Sequence, residues 1–140
     1  MFNIYETLRN NKYFIDNEYL VKYCRLIEQN KGVKVRCGTI NKHHIVPKSW
    51  FKLTGTEVNN ELNNLVKLSY REHVMAHYYL CLCTEDPFKY ANQLALMCLL
   101  SRKKLNPVDK YLVKTLPLYN IIYEDCRKKQ ERNYKLYERK

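Results

Sequence analysis

The four histidines of this chain, His43, His44, His73 and His77, fall into two close pairs, and an imidazole can either ligate a metal ion or carry a proton at neutral pH. His73 and His77 are four residues apart. On one helix that spacing puts both rings on the same face, with Cβ atoms about 6 Å apart, close enough to share a small cation. His43 and His44 are adjacent, and neighbouring residues of a strand point to opposite sides. One of them can therefore complete a three-nitrogen site while the other faces a substrate. Three neutral imidazoles suit Zn²⁺ or another borderline transition ion better than Mg²⁺, which takes oxygen ligands. Three protein ligands also leave a coordination position open, the pattern of a catalytic site, and a spare imidazole beside it can take a proton from water.

Such a site needs a strand for the first pair and a helix for the second. The sequence predicts both. Ser69-Tyr70-Arg71-Glu72 is a capping box, so a helix starts at Tyr70 and runs to about Cys83, carrying His73 and His77. Glu72 is accordingly read as a cap rather than an acid. Leu65-Val66-Lys67-Leu68 reads as a strand leading directly into that helix, and His43-His44-Ile45-Val46 as another, ended by Pro47. A further short strand is predicted over Val33–Cys37, where Val33, Val35 and Cys37 alternate with Lys34 and Arg36. Residues 48–63 mix Ser, Thr, Gly and Asn with few apolar residues and read as a long surface loop.

Helices flank this centre. Tyr19, Leu20, Tyr23, Cys24 and Ile27 recur at helical spacing in a first helix, over residues 16–31. Asp86-Pro87 reads as a cap followed by a proline at the first helical position, with Phe88, Ala91, Leu94, Ala95, Cys98 and Leu99 as the apolar stripe. Asn106-Pro107 repeats the device, and Pro117 interrupts the helix begun there. The chain from Cys126 to Lys140 is basic, fit either to track phosphates or to fray in solvent. These elements describe one domain over residues 1–140, of class α+β and mainly helical: a core over 33–84 between helices at 16–31 and 86–140.

Composition narrows the partners. With 25 Lys and Arg against 14 Asp and Glu, the net charge is +11, an excess that attracts polyanions and puts nucleic acid first. No apolar run approaches the ~20 residues of a membrane span, and Met1–Asn10 has no signal-peptide pattern, so a soluble cytoplasmic protein is expected. The six cysteines are scattered and form no CxxC pair; most of them are read as buried free thiols. A metal, an available base and a phosphate-seeking surface together point to metal-assisted phosphodiester hydrolysis.

The segments His43-His44-Ile45-Val46-Pro47-Lys48, Asn64-Leu65-Val66-Lys67-Leu68 and Arg71-Glu72-His73-Val74-Met75-Ala76-His77 stand in an order and spacing that resembles the HNH endonucleases, particularly small phage and bacterial members with HHIxPK, NLVxL and EHxxAH. The resemblance covers about His43 to Leu80. It implies a ββα-metal finger, two antiparallel strands and a helix around one divalent ion, embedded here in a mainly helical domain. It further implies that His44 is the general base and that His43, His73 and His77 are the metal ligands. Asn64, rather than neighbouring Asn63, would take the family's central asparagine position and brace the hairpin loop. The expected ion is zinc, with Mn²⁺, Ni²⁺ or Mg²⁺ as the others to consider. The expected reaction is DNA hydrolysis to 5′-phosphate and 3′-hydroxyl ends.

Arg36, Lys42, Lys48 and Arg71 lie near these segments and are the candidate phosphate contacts, Arg71 foremost because it sits in the first turn of its helix. Trp50 and Phe51 are read as a loop anchor, with wedging between bases as the alternative. A chain this short has no room for a separate sequence reader, so selectivity would come from the helices beyond residue 86, a partner protein or a homodimer. Two other functions fit the same residues: a zinc-stabilised nucleic-acid-binding module without activity, and a nuclease directed at RNA or acting as a toxin. His44 favours the enzyme, since a purely structural finger has no need of an imidazole there.

Overall fold

A computed structural model of the chain describes residues 3–32, 40–102 and 106–138. The strand expected over Val33–Cys37 lies outside the described residues, as does Arg36. Seven helices and two short strands are present among those described: α1 (Ile4–Arg9), α2 (Glu18–Asn30), β1 (Asn41–His44), α3 (Lys48–Thr54), β2 (Leu65–Leu68), α4 (Tyr70–Leu82), α5 (Phe88–Leu100), α6 (Pro107–Lys114) and α7 (Tyr119–Glu138). The class is α+β, mainly helical, with one antiparallel two-stranded sheet. None of the described helices is long and apolar enough to cross a membrane.

β1 and β2 pair with Asn41 opposite Leu68, Lys42 opposite Lys67, His43 opposite Val66 and His44 opposite Leu65. The pleat alternates side chains, so Asn41 and His43 are buried while Lys42 is exposed and His44 half-buried. β2 passes into α4 through Ser69. Ser69 Oγ accepts from the Glu72 amide at 3.2 Å and the Glu72 carboxylate accepts from the Ser69 amide at 3.0 Å, the capping box read from the sequence.

α4 is packed on both sides. Ala76 and Leu80 join a core with Leu20, Tyr23, Ile27 and Val66, whereas Val74, Tyr78 and Cys81 join a second core with Leu96, Leu99 and Ile122. A helix so enclosed is held in one rotational setting, and that setting aims His73 and His77 at β1. The N-terminal segment is tied to the end of α4 by an isolated bridge, Phe14 to Thr84, and by Asn17, which caps α2 while donating to the Leu82 carbonyl at 2.9 Å.

β1 spans Asn41–His44 and not His43–Val46, because the Val46 amide is taken by Asn64 Oδ1 in place of a ladder bond, and four further details differ from the sequence reading. α1 has no counterpart there; it has only two buried residues, Ile4 and Leu8, too few to show a period, and its cap is Asn3. Residues 48–63 are not a plain loop: α3 begins after Pro47 and stops at Gly55, whose φ of +72° suits a helix end that L side chains rarely adopt, and Leu62–Asn64 form a 3-10 turn. α5 starts at Phe88, so Pro87 precedes the first helical position, and its most buried residues include the amides Asn92 and Gln93 in place of Ala91, Leu94, Ala95 and Cys98.

The fourth concerns the basic end. α7 is not a free arm over its first half: Cys126 and Lys129 are buried, and Lys129 is held by Asp86 at 2.9 Å and Asp125 at 3.0 Å while donating to Gln93 at 3.0 Å. Arg127 pairs with Glu124 and Glu131. Among the described cysteines no disulfide forms; Cys24, Cys81, Cys83 and Cys126 are buried thiols, whose pKa burial raises, to about 12 for Cys24, and Cys98 alone is exposed.

Candidate metal centre

His43, His73 and His77 converge where β1 faces α4. Their ring centroids are 4.9 to 5.3 Å apart, and one nitrogen from each lies within 4.8 Å of the others. His43 and His77 are buried and His73 is half-buried. The rings open on a small cleft of about 130 Å³, lined also by Lys42, His44, Pro47 and Lys48.

Hydrogen bonds determine which nitrogen is free in His43 and in His73. Tyr23, from α2, has a single hydroxyl proton and donates it to the Ile45 carbonyl at 2.6 Å. Its oxygen can only accept from His43 Nε2, 2.7 Å away, so Nε2 carries the hydrogen and Nδ1 keeps the lone pair. Arg102, a pure donor, places Nη1 at 2.9 Å from Asn41 Oδ1, and the same oxygen lies 3.3 Å from His73 Nδ1. His73 Nδ1 is therefore the protonated nitrogen and Nε2 the free one. His77 Nε2 lies 3.2 Å from His73 Nε2, and His77 Nδ1 is buried with no hydrogen-bond partner.

These donors fit a metal ion. Zn–N distances of about 2.0–2.1 Å at tetrahedral angles separate ligand nitrogens by about 3.4 Å, close to the spacing of the two Nε2 atoms. Outer hydrogen bonds of the kind made by Tyr23 and Asn41 are what orient ligating imidazoles. Burial also keeps the rings neutral, as ligands must be. It is the first cause of a lowered pKa in all three, to about 4 in His73 with Arg102 as a second cause, and to about 3 in His77 with His73 and Arg102 contributing. His43 is also lowered well below the ordinary range, by burial first, with smaller contributions from the other histidines.

His44 stands apart from this trio, at the rim of the cleft. Its Nε2 lies 2.8 Å from Asn60 Oδ1, an acceptor, which leaves Nδ1 with the lone pair. The segment that brings Asn60 there is braced by Asn64. Asn64 is buried; its Oδ1 accepts from the Val46 amide at 2.8 Å, and its Nδ2 donates to the carbonyls of Val46 at 3.1 Å and Asn59 at 2.9 Å. Asn63 is exposed and makes no such clamp.

Of the expected phosphate contacts, Lys42 and Lys48 line the cleft, and Arg71 does not. Arg71 is two residues from His73, about 200° around the helix, so it points towards α6, where it pairs with Asp109 at 3.1 Å and lines a separate groove with Met75 and Leu112. Trp50 is an anchor: its indole donates to the Lys12 carbonyl at 2.8 Å and its ring packs on the core. Tyr23, Asn41, Asn60 and Arg102 are the site residues that sequence reasoning missed. Tyr23 lies on the apolar stripe of its helix and reads as core, and the other three carry no local signal.

Removing the Tyr23 hydroxyl frees the His43 ring to present the wrong nitrogen. In Tyr23→Phe, zinc affinity measured by chelator competition is expected to fall about 10–100-fold. Unchanged affinity would mean that packing alone sets the His43 ring.

Comparison with protein-family profiles, curated proteins and solved structures returned no match.

Proposed function

We propose that this chain is a metal-dependent endonuclease of the HNH type that hydrolyses DNA, with β1, β2 and α4 forming its ββα-metal finger. The observation that carries the reading is the division of the four imidazoles: three converge with one nitrogen of each close together, and the fourth stands at the rim of the same cleft with Nδ1 unpartnered among the described residues. In this reading His43 Nδ1, His73 Nε2 and His77 Nε2 hold one divalent ion, zinc by the donor set, with Mn²⁺, Ni²⁺ and Mg²⁺ as ions to assay. A divalent ion held there supplies electrostatic stabilisation of the charge that builds up on the phosphate and the leaving 3′ oxygen.

The protein's own groups do the rest. His44 Nδ1 takes a proton from water, and its donated Nε2–H to Asn60 keeps that nitrogen facing the cleft. Lys42 and Lys48, both exposed at the rim, draw in the phosphodiester. Asn64 keeps the Asn59–Asn60 backbone against the end of β1, so the base does not wander from the cleft.

Supercoiled plasmid incubated with the protein and each ion in turn tests the proposal. Nicked or linear products with ligatable 5′-phosphate and 3′-hydroxyl ends are expected, and EDTA should abolish them. DNA binding with no cleavage under any ion would overturn the enzyme and leave a zinc-stabilised binding module. Cleavage confined to RNA would overturn the choice of substrate.

A further inference from the structure

Lys67 lies on β2 directly opposite Lys42, and directly opposed residues of an antiparallel pair project from the same face of the sheet. Both lysines are exposed. Their Cβ atoms are about 4.5–5.5 Å apart in such a pairing, so two like charges stand side by side. Arg9, Arg71, Arg127 and Lys129 each have a carboxylate partner; neither Lys42 nor Lys67 has one among the described residues. The opposed pair therefore works against folding, and no described residue offsets it.

The same face ties the pair to the cleft. Alternation along β1 puts His44 on the side of Lys42, two residues and about 6.8 Å along, with Leu65 opposite it. Lys42 and His44 both line the cleft. Lys67 does not; it stands one strand further out, about 4.8 Å across the ladder from β1. A nucleic-acid backbone that enters the cleft beside His44 and crosses this face meets Lys42 and Lys67 together. An anion lodged between two ammonium groups is attracted by both and relieves the repulsion between them.

Building on the nuclease reading, we infer that Lys67 is a further nucleic-acid contact: with Lys42 it grips the backbone phosphate next to the one in the cleft. The contact carries no sequence information. It fixes the path of the DNA across β1 and β2 and so positions the scissile phosphate near His44.

The test measures binding of a short DNA duplex by fluorescence anisotropy in full-length, zinc-loaded His44→Ala, which leaves the DNA intact. Chains with Lys67, with Lys67→Gln and with Lys114→Gln are compared, the last removing one exposed charge from α6. Lys67→Gln is expected to weaken binding about fivefold at about 0.1 M salt and to make the plot of log K against log salt shallower by about one. Lys114→Gln is expected to change affinity by less than about twofold, because a charge beyond the Debye length is screened. Without DNA, Lys67→Gln is expected to melt about 1 °C or more above the parent chain in low salt. That gain should shrink in about 1 M salt, where the Debye length is about 3 Å.

An affinity change in Lys67→Gln no larger than in Lys114→Gln overturns the inference. So does a lower melting temperature in low salt for both Lys67→Gln and Lys67→Thr, the better strand former, since the lysine would then be serving the fold. Plasmid cleavage by the unaltered protein shows in either case that the nuclease reading survives. DNA binding without cleavage, with the Lys67 response present, keeps the contact and removes the nuclease reading alone. An unaltered protein that neither binds nor cleaves DNA removes both.

Discussion

Replacing His44 by alanine is expected to lower plasmid cleavage by about 10²–10⁴-fold, the usual contribution of a positioned general base, while bound zinc stays at one ion per chain. The two readouts separate because His44 is not one of the three converging rings: its partner is Asn60 and its place is the rim. Loss of both activity and metal would mean that His44 belongs to the ligand set; full activity would mean that water is activated by another group. Asn60→Ala should be milder. It leaves the imidazole in place but frees its tautomer, so cleavage is expected to fall, by less than in His44→Ala, while metal content does not change. An Asn60→Ala chain with full activity would show that the Asn64 clamp alone positions the base.

The parts of this site visible in the sequence are those set by local rules. The i, i+4 spacing of His73 and His77 and the capping box at Ser69 are fixed within one helix, and the antiparallel register that separates His43 from His44 follows from alternation along one strand. The residues that escaped the sequence arrive from far along the chain. Tyr23 is 20 residues from His43, Asn60 16 from His44, and Arg102 61 from Asn41. No periodicity encodes such meetings; they depend on how α2 and α5 pack against α4. Arg71 fails for a related reason. Its position in a first helical turn suits an anion, but the chain itself supplies that anion in Asp109. α3 is hidden because it buries no residue fully, so its seven residues show no apolar stripe, and only Pro47 and Gly55 mark its limits.

Stripping a ligand should have the largest effect on the metal. His77→Ala is expected to reduce bound zinc from about one ion per chain to none at micromolar protein, since two imidazoles do not make a tight site. Retention of a full ion by this variant would refute the ligand assignment. The intact site should also hold its ion in mild acid. A solvent-exposed imidazole begins to lose a metal to protons near its ordinary pKa of about 6.5. Here burial lowers the competing proton affinity, to about 4 in His73 and about 3 in His77, so zinc should remain bound at pH 5.5 and leave only as those values are approached. For the metal-free protein the same shifts fix the sign of the stability change. In the unfolded chain His73 and His77 take up protons below about pH 6.5 and in the folded chain they do not until about pH 4 to 3, so the unfolded state binds more protons in between. Stability is complete above pH 6.5 and falls as the pH drops through that window. A melting temperature independent of pH between 6.5 and 4 would show that the three rings are hydrated in solution, and the case for a preformed trio of neutral ligands would go with it.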